Sequence, residues 1–236
     1  METSTQSSIP NTALDFGNFD PTEIQVDETI NCVFAIDVSG SVHGYVNELN
    51  QGINEFVAHM QSSHVADQLM VSFVTFGSDI KVKSGFQPIK NIPVMDFGPD
   101  ISGLTALYGG VQLALTNALD YRENLENSGV NCKTLIFTIT DGGNNASPNS
   151  VAGDVKQQIK DLLKEERNYA SFTSILFGIG KSDGMEADFT QAKEDLGIEH
   201  LASIDDTAKD IRRMIAFISA SISSVSQGAG VSAPNF

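Results

Sequence analysis

The sequence predicts an α/β fold: a doubly wound, mostly parallel central sheet with one antiparallel edge strand and helices on both faces. Two observations predict it. Long apolar segments rich in β-branched residues alternate along the chain with segments whose apolar residues recur at helical spacing. The apolar segments are nearly unbroken, which is typical of strands that are buried on both faces. In such folds ligands bind beyond the carboxyl ends of the strands, where the strand order reverses.

The first half of the chain predicts a strand, a helix and then two neighbouring strands. Residues 30–36 are expected to form the first strand, with an apolar run over 32–36, and 42–60 follow with one apolar stripe at helical spacing. The apolar segment 69–76 predicts a second strand, and after a Gly-Ser-Asp turn 80–83 alternates like an antiparallel edge strand. Because 85–103 contains three prolines, we expect it to be mostly loop.

The second half repeats the alternation of helix and strand. Strands are expected where apolar, β-branched runs occur, at 133–140, 171–178 and 200–203. Helices are expected where apolar residues return every three or four positions, at 105–124, 151–166, 185–196 and 207–225.

Both ends of the chain are expected to lie outside the domain. Residues 1–24 are polar, rich in Ser, Thr and Asn, and interrupted by Pro10 and Pro21, which predicts a flexible tail. Residues 227–236 open with a run rich in glycine and alanine and are expected to be disordered. We therefore place a single domain at 25–226, which suits a chain of 236 residues.

The acidic composition excludes several classes of partner. With a formal net charge of −16 and a pI near 4.4, the chain is not suited to non-specific nucleic-acid binding or to docking on anionic lipid, since both need Lys and Arg. The N-terminus lacks the cationic and apolar regions of a signal peptide, and no stretch reaches the ~18 apolar residues of a membrane span. We therefore expect a cytoplasmic protein.

Two cysteines, Cys32 and Cys132, stand at the start of strand-like apolar runs. Their placement predicts buried free thiols in a reducing compartment, because a disulfide framework uses more cysteines at loop positions. A disulfide between the two stays an open alternative if their strands are neighbours.

Three loops next to these elements carry carboxylates and hydroxyls. Asp37, Ser39 and Ser41 follow the first strand, Thr105 stands at a loop-to-helix junction, and Asp141 follows a later strand. Two carboxylates and three hydroxyls are hard oxygen ligands, which suit Mg²⁺, or Mn²⁺ in its place, better than Ca²⁺, which usually takes more carboxylates. The alternative is that Ser41 only caps the next helix. The presence of all three loops favours one metal site.

These motifs resemble the metal-ion-dependent adhesion site of a von Willebrand factor A domain. The pattern of that family is D-x-S-G-S after a strand, G-x-T before a helix and T-D-G at a strand end. All three motifs are present, at 37–41, 103–105 and 140–142. The resemblance extends over most of the chain, from about residue 30 to residue 225, and implies the fold of that family.

The resemblance also implies a function. Ser39, Ser41 and Thr105 would bind the metal through their hydroxyls, and Asp37 and Asp141 would act partly through water. In adhesive members an Asp or Glu of the partner protein completes the coordination of the metal. We therefore expect a non-enzymatic, metal-dependent protein-interaction module. The chain also resembles the bacterial intracellular branch of the family, which is encoded with tellurium-resistance and stress or defence systems.

Two other functions stay open. Phosphatases also place an Asp at a strand end with Mg²⁺, so a Mg²⁺-dependent phosphoester hydrolase is one alternative. That chemistry needs a second Asp two residues further on, where Ser39 stands, and His43 is the one histidine near the three loops that could act as a general base. The other alternative is a scaffold, in which the metal only braces the loops and the partner docks elsewhere.

Overall fold

Six strands form one sheet at the centre of the molecule. The computed structural model describes residues 28–164, 171–180 and 184–234. The strands are β1 (Glu28–Asp37), β2 (Leu69–Phe76), β3 (Ile80–Pro88), β4 (Asn131–Thr140), β5 (Phe172–Ile179) and β6 (His200–Ile204). They lie in the order β3-β2-β1-β4-β5-β6, and each neighbouring pair is parallel except β2 and β3. The predicted fold class is therefore confirmed.

Helices cover both faces of this sheet, as predicted. In the described part of the chain they are α1 (Val46–Gln61), α2 (Leu107–Asn127), α3 (Asn149–Leu163), α4 (Glu186–Leu196) and α5 (Ala208–Ser226). The apolar stripes of α1 and α5 pack on one face of the sheet, and those of α2, α3 and α4 pack on the other. None of these described helices has the length and apolar character needed to cross a membrane.

The central strand β1 is fixed by aromatic packing. Phe34 is fully buried on this strand, and its ring centroid lies 5.1 Å from those of Phe56 and Phe73 and 5.6 Å from that of Phe137. Aromatic rings at such separations stabilise a core beyond the effect of the area they bury. This packing holds β1 firmly, and therefore also the point at which Asp37 leaves the sheet.

The edge strand β3 is longer than predicted. We expected it at 80–83 and then loop, but the strand continues to Pro88. The register between β2 and β3 shifts on either side of Phe73, an irregularity that bends and extends the pairing. Phe86 is thereby buried against Tyr121 of α2, with ring centroids 4.1 Å apart. The prediction of loop was wrong here because this contact with α2 outweighs the local proline signal.

The two cysteines are buried free thiols, as predicted. Their strands, β1 and β4, are neighbours in the sheet. Cys32 belongs to the core under α1 and α5, however, whereas Cys132 belongs to the core under α2. Because the sheet lies between the two thiols, this fold excludes a disulfide between them.

The predicted domain limits concern the two ends of the chain. The expected flexible tail at 1–24 lies outside the described residues. Beyond α5, Gly228 turns the chain with a φ of 78°, and Val231 packs against the core that α1 and α5 share. The limits of the domain and the disorder expected over 227–236 stay predictions.

Candidate metal centre

The predicted ligand loops lie at the point where the strand order reverses. β1 and β4 are neighbours at the middle of the sheet, while the chain continues from β1 to β2 on one side and from β4 to β5 on the other. Asp37 is the last residue of β1, and Asp141 directly follows β4. The two carboxylates therefore leave the sheet side by side, at the edge where doubly wound folds bind ligands.

Asp37 is buried and held by two hydrogen bonds. Its side chain is 1% exposed. One carboxylate oxygen accepts the backbone N–H of Ser39 at 2.8 Å, and the other accepts the hydroxyl of Thr140 at 2.6 Å. Burial raises the pKa of Asp37 to about 6, and the hydrogen bonds from Thr140 and Ser39 oppose this rise. The carboxylate is thus fixed in orientation before any ligand binds.

The serine hydroxyls connect Asp37 to Asp141. The hydroxyl oxygens of Ser39 and Ser41 lie 3.1 Å apart, and Ser41 donates to a carboxylate oxygen of Asp141 at 2.8 Å. Burial raises the pKa of Asp141, and the nearby hydroxyls of Ser41 and Tyr45 oppose this rise. Ser39 is buried, but Ser41 is exposed and Asp141 is half-buried. The oxygens of this cluster are therefore open to solvent on the Ser41 side.

The alternative in which Ser41 caps a helix is wrong. The helix α1 begins at Val46, not at residue 42, and Tyr45 precedes it without a side-chain cap. Ser41 lies instead in a short 3-10 turn, Gly40–Gly44, and its hydroxyl bonds across to Asp141. The Ser41 hydroxyl therefore connects two of the predicted ligand loops.

Thr105 is tied to the loop that follows β4. It is 4% exposed. Its N–H donates to the side-chain oxygen of Asn145 at 2.7 Å, and its carbonyl accepts the N–H groups of Asn145 and Ala146 at 3.0 and 3.2 Å. A Cβ added at Gly142 would lie 3.8 Å from the Thr105 hydroxyl, so that hydroxyl faces the loop of Asp141. The structure therefore brings the three predicted loops together.

A fourth loop, after β2, supports the other three. The carbonyl of Gly77 accepts the N–H of Ala106 at 3.1 Å, and the N–H of Ser78 donates to the carbonyl of Ser102 at 3.4 Å. A Cβ added at Gly77 would lie 2.9 Å from the Ser102 carbonyl oxygen and 3.0 Å from that of Val38. Only glycine fits between these two backbone segments without displacing them.

The roles of four residues in this cluster were not predicted from the sequence: Thr140, Tyr45, Asn145 and Gly77. Thr140 could have been found, because it directly precedes Asp141 and its strand lies beside β1. Tyr45 could not, because its contact with Asp141 depends on the 3-10 turn. Asn145 and Gly77 lie in segments that the sequence showed only as loop and turn.

The donor chemistry of the cluster fits a small hard cation. Its five predicted ligands, Asp37, Ser39, Ser41, Thr105 and Asp141, offer oxygen atoms alone. Oxygen donors favour Mg²⁺, Mn²⁺ or Ca²⁺ over metals that prefer sulfur or nitrogen. Over the ranges that the structure describes, no group of three or more His, Cys, Asp or Glu side chains is arranged to hold a metal. The cluster has two carboxylates, so hydroxyls would supply its other protein ligands to a metal.

Comparisons with known structures agree with this architecture. The pilus adhesin SpaC from Lactobacillus rhamnosus GG matches 83% of this chain with a TM-score of 0.62 and 13% identity, although the chain covers only 30% of the adhesin. Manganese-loaded TRAP protein from Plasmodium vivax matches 80% of this chain and 71% of its own with a TM-score of 0.51 and 16% identity. At such identities these structures show a shared fold.

A third solved structure is similar over almost its whole length. An aerotolerance-related membrane protein from Bacteroides fragilis matches 83% of this chain and 99% of its own, with a TM-score of 0.51 and 12% identity. No curated protein sequence matches the chain.

The family of the chain follows from its own sequence. The model of the von Willebrand factor type A domain matches residues 31–210, which is well over half of the chain. Domains of this family are generally non-enzymatic protein-interaction modules, and they often bind a divalent metal. The chain belongs to the von Willebrand factor type A domain family.

Proposed function

We propose that this chain is a metal-dependent protein-interaction module. Mg²⁺ is held by Asp37, Ser39, Ser41, Thr105 and Asp141, and an Asp or Glu carboxylate of a partner protein completes its coordination. One observation carries this proposal: the three loops that hold these two carboxylates and three hydroxyls come together at the edge of the sheet where its strand order reverses.

The charge balance of the site supports a partner with an acidic residue. Asp37 and Asp141 are the only two carboxylates of the proposed ligand set, and the other three ligands are neutral hydroxyls. A bound divalent cation supplies a positive charge. Because only two of its protein ligands are carboxylates, the cation still attracts a carboxylate from outside the chain. Ser41 is exposed and Asp141 is half-buried, so the partner reaches the site from their side.

Mg²⁺ is the proposed ion, with Mn²⁺ able to take its place. Both ions accept a few carboxylates with hydroxyls and water, whereas Ca²⁺ usually takes more ligands and more carboxylates. A neighbour in structure, the TRAP protein of Plasmodium vivax, was solved loaded with manganese. That neighbour supports a manganese-compatible site in this fold.

The geometry favours binding over hydrolysis. A phosphatase of the type considered above needs a second Asp as an acid, two residues after the strand-end Asp. The place of the second acid is taken by Ser39, whose hydroxyl is paired with that of Ser41. We therefore propose that the chain is not an enzyme.

The cellular setting is a separate prediction. We propose a cytoplasmic protein of a bacterial stress or defence system, of the kind encoded with tellurium resistance. The resemblance described above supports it. The genes that neighbour the coding sequence test it directly, since a setting without stress or defence genes contradicts the assignment.

Metal removal tests the proposed function. We expect a partner captured from native lysate with Mg²⁺ to be released by EDTA and restored by added Mg²⁺. The Thr105→Ala variant should fail to capture it, because it lacks one of the three hydroxyl ligands. Thr190→Ala is a matched control, since Thr190 is an exposed threonine of α4 whose hydroxyl bonds within its own helix. A partner that stays bound in EDTA and tolerates Thr105→Ala contradicts the proposal and favours the scaffold.

Gly77→Ala tests whether the fourth loop positions the ligands. The added methyl group would overlap the carbonyls of Val38 and Ser102 and push the loops apart. We expect the affinity for Mg²⁺ to fall about 10- to 100-fold, the usual effect of losing a group that only orients metal ligands. Calorimetric titration measures it, with Gly153→Ala as control, because a Cβ there meets nothing within 4 Å. Equal affinity in both variants would show that the loops do not depend on Gly77.

A further inference from the structure

Leu104 is an exposed apolar side chain next to the candidate metal centre. It is 56% exposed, while the following residue, Thr105, is 4% exposed. Among the residues that the structure describes, Val94 is the one other large apolar side chain with such exposure. A single exposed leucine is ordinary on a protein surface. The position of Leu104, directly before a proposed metal ligand, is what gives it meaning.

The backbone holds Leu104 outward. Its N–H donates to the hydroxyl of Ser78 at 2.9 Å. The preceding Gly103 has a φ of +63°, and a Cβ there would lie 1.9 Å from that same hydroxyl oxygen. The carbonyl of Gly103 accepts the N–H of Gly40 at 3.1 Å. On the other side, the N–H of Thr105 donates to Asn145, so the backbone is held both before and after Leu104 and keeps its side chain at the surface.

The surroundings of Leu104 leave its side chain uncovered. Apart from Leu104 itself, the exposed residues of the loops 40–44, 77–79 and 102–104 are small or polar, namely Gly40, Ser41, His43, Gly44, Ser78, Asp79, Ser102 and Gly103. On the β4 side, Gly142 and Gly143 are half-buried and carry no side chain. Leu104 is therefore the large apolar group that these loops present beside the cluster of oxygen ligands.

We propose that Leu104 is an apolar docking point for the partner, and that the partner segment carries an apolar side chain within two residues of the carboxylate it offers to the metal. This inference rests on the proposed function. Successive Cα atoms lie about 3.8 Å apart, so one short segment of the partner can contact both Leu104 and the neighbouring metal centre. Covering Leu104 removes apolar surface from water and adds about fivefold to the affinity.

Selection from a displayed library of seven-residue peptides tests this inference. The full chain is used as wild type, Leu104→Ser and Val94→Ser, each with Mg²⁺ and with EDTA. For the wild type we expect Mg²⁺-dependent peptides to carry Asp or Glu with an apolar residue within two positions. Leu104→Ser should lose that apolar preference and bind the selected peptides about fivefold more weakly. Val94→Ser, a matched exposed position, should keep the apolar preference and the affinity for the selected peptides. Calorimetry should give the same affinity for Mg²⁺ in all three proteins.

The outcomes separate the inference from the function on which it rests. Mg²⁺-dependent acidic peptides without an apolar preference would overturn the role of Leu104 and leave the metal-dependent module standing. The same holds if Leu104→Ser selects peptides with an unchanged apolar preference. If no peptide is retained in Mg²⁺ over EDTA, the proposed function fails and the inference fails with it.

Discussion

Mg²⁺ binding is expected to be lost in the Asp37→Ala variant, while the domain stays folded. Asp37 supplies one of only two carboxylates in the proposed ligand set. Even the loss of a residue that merely orients a ligand lowers metal affinity about 10- to 100-fold, so removal of this carboxylate should lower it by at least about 100-fold. Titration calorimetry measures the affinity, and circular dichroism with chemical unfolding measures the fold.

The domain should stay folded because the buried charge of Asp37 does not stabilise it when no ion is bound. Burial raises its pKa to about 6, which shows that the surroundings oppose the charged form. Alanine removes this unfavourable burial, but it also leaves the N–H of Ser39 without its acceptor. The hydroxyl of Thr140 keeps the carbonyl of Gly142 as an acceptor at 3.1 Å. Asp37→Asn keeps the shape and an acceptor oxygen, so it separates the loss of charge from the loss of these hydrogen bonds.

Asp188→Ala is the control for the change of net charge. Asp188 is exposed on α4 and lies next to Gly143, close to the Asp141 loop but outside the proposed ligand set. We expect its affinity for Mg²⁺ to stay near that of the wild type. Unchanged affinity in folded Asp37→Ala would refute the assignment of the site, and an equal loss in both variants would point to a general effect of surface charge.

Much of this site could be predicted from the sequence because parallel strands end at one edge. Asp37 and Asp141 each stand at the end of an apolar run, so the order of elements places them together before any contact is known. The fold followed for the same reason, since apolar runs and helical stripes alternate along the chain except between β2 and β3. These are local patterns, and each can be recognised without its neighbours.

The parts that could not be predicted depend on contacts between distant segments. The extension of β3 relies on Phe86 stacking on Tyr121, which belongs to a helix that follows later in the chain. The position of Tyr45 near Asp141 depends on the 3-10 turn that delays α1. The close approach at Gly77 involves two carbonyls from other loops. No local pattern of residue types predicts such contacts between distant segments.

Phe34→Ala is expected to have the largest effect on stability. Phe34 is fully buried on the central strand β1, among the rings of Phe56, Phe73 and Phe137. Replacing such a side chain leaves a cavity and typically lowers the free energy of unfolding by about 3–5 kcal/mol, a large part of the about 5–15 kcal/mol that a domain has. Chemical unfolding measures the change. Phe217→Ala is the control, since Phe217 is only half-buried and should lose less.

Mg²⁺ should restore part of the stability that Phe34→Ala loses. An ion that binds only the folded chain raises the free energy of unfolding by about 2.7 kcal/mol at a concentration 100 times its Kd. Phe34 belongs to the core under α1 and α5 and is not a proposed ligand, so the variant should still bind Mg²⁺ when folded. The double variant Phe34→Ala, Asp37→Ala should gain no such stability from Mg²⁺. Equal stabilisation of both would mean that Mg²⁺ acts on the acidic chain as a whole, because the two proteins differ only in the proposed ligand at the end of β1.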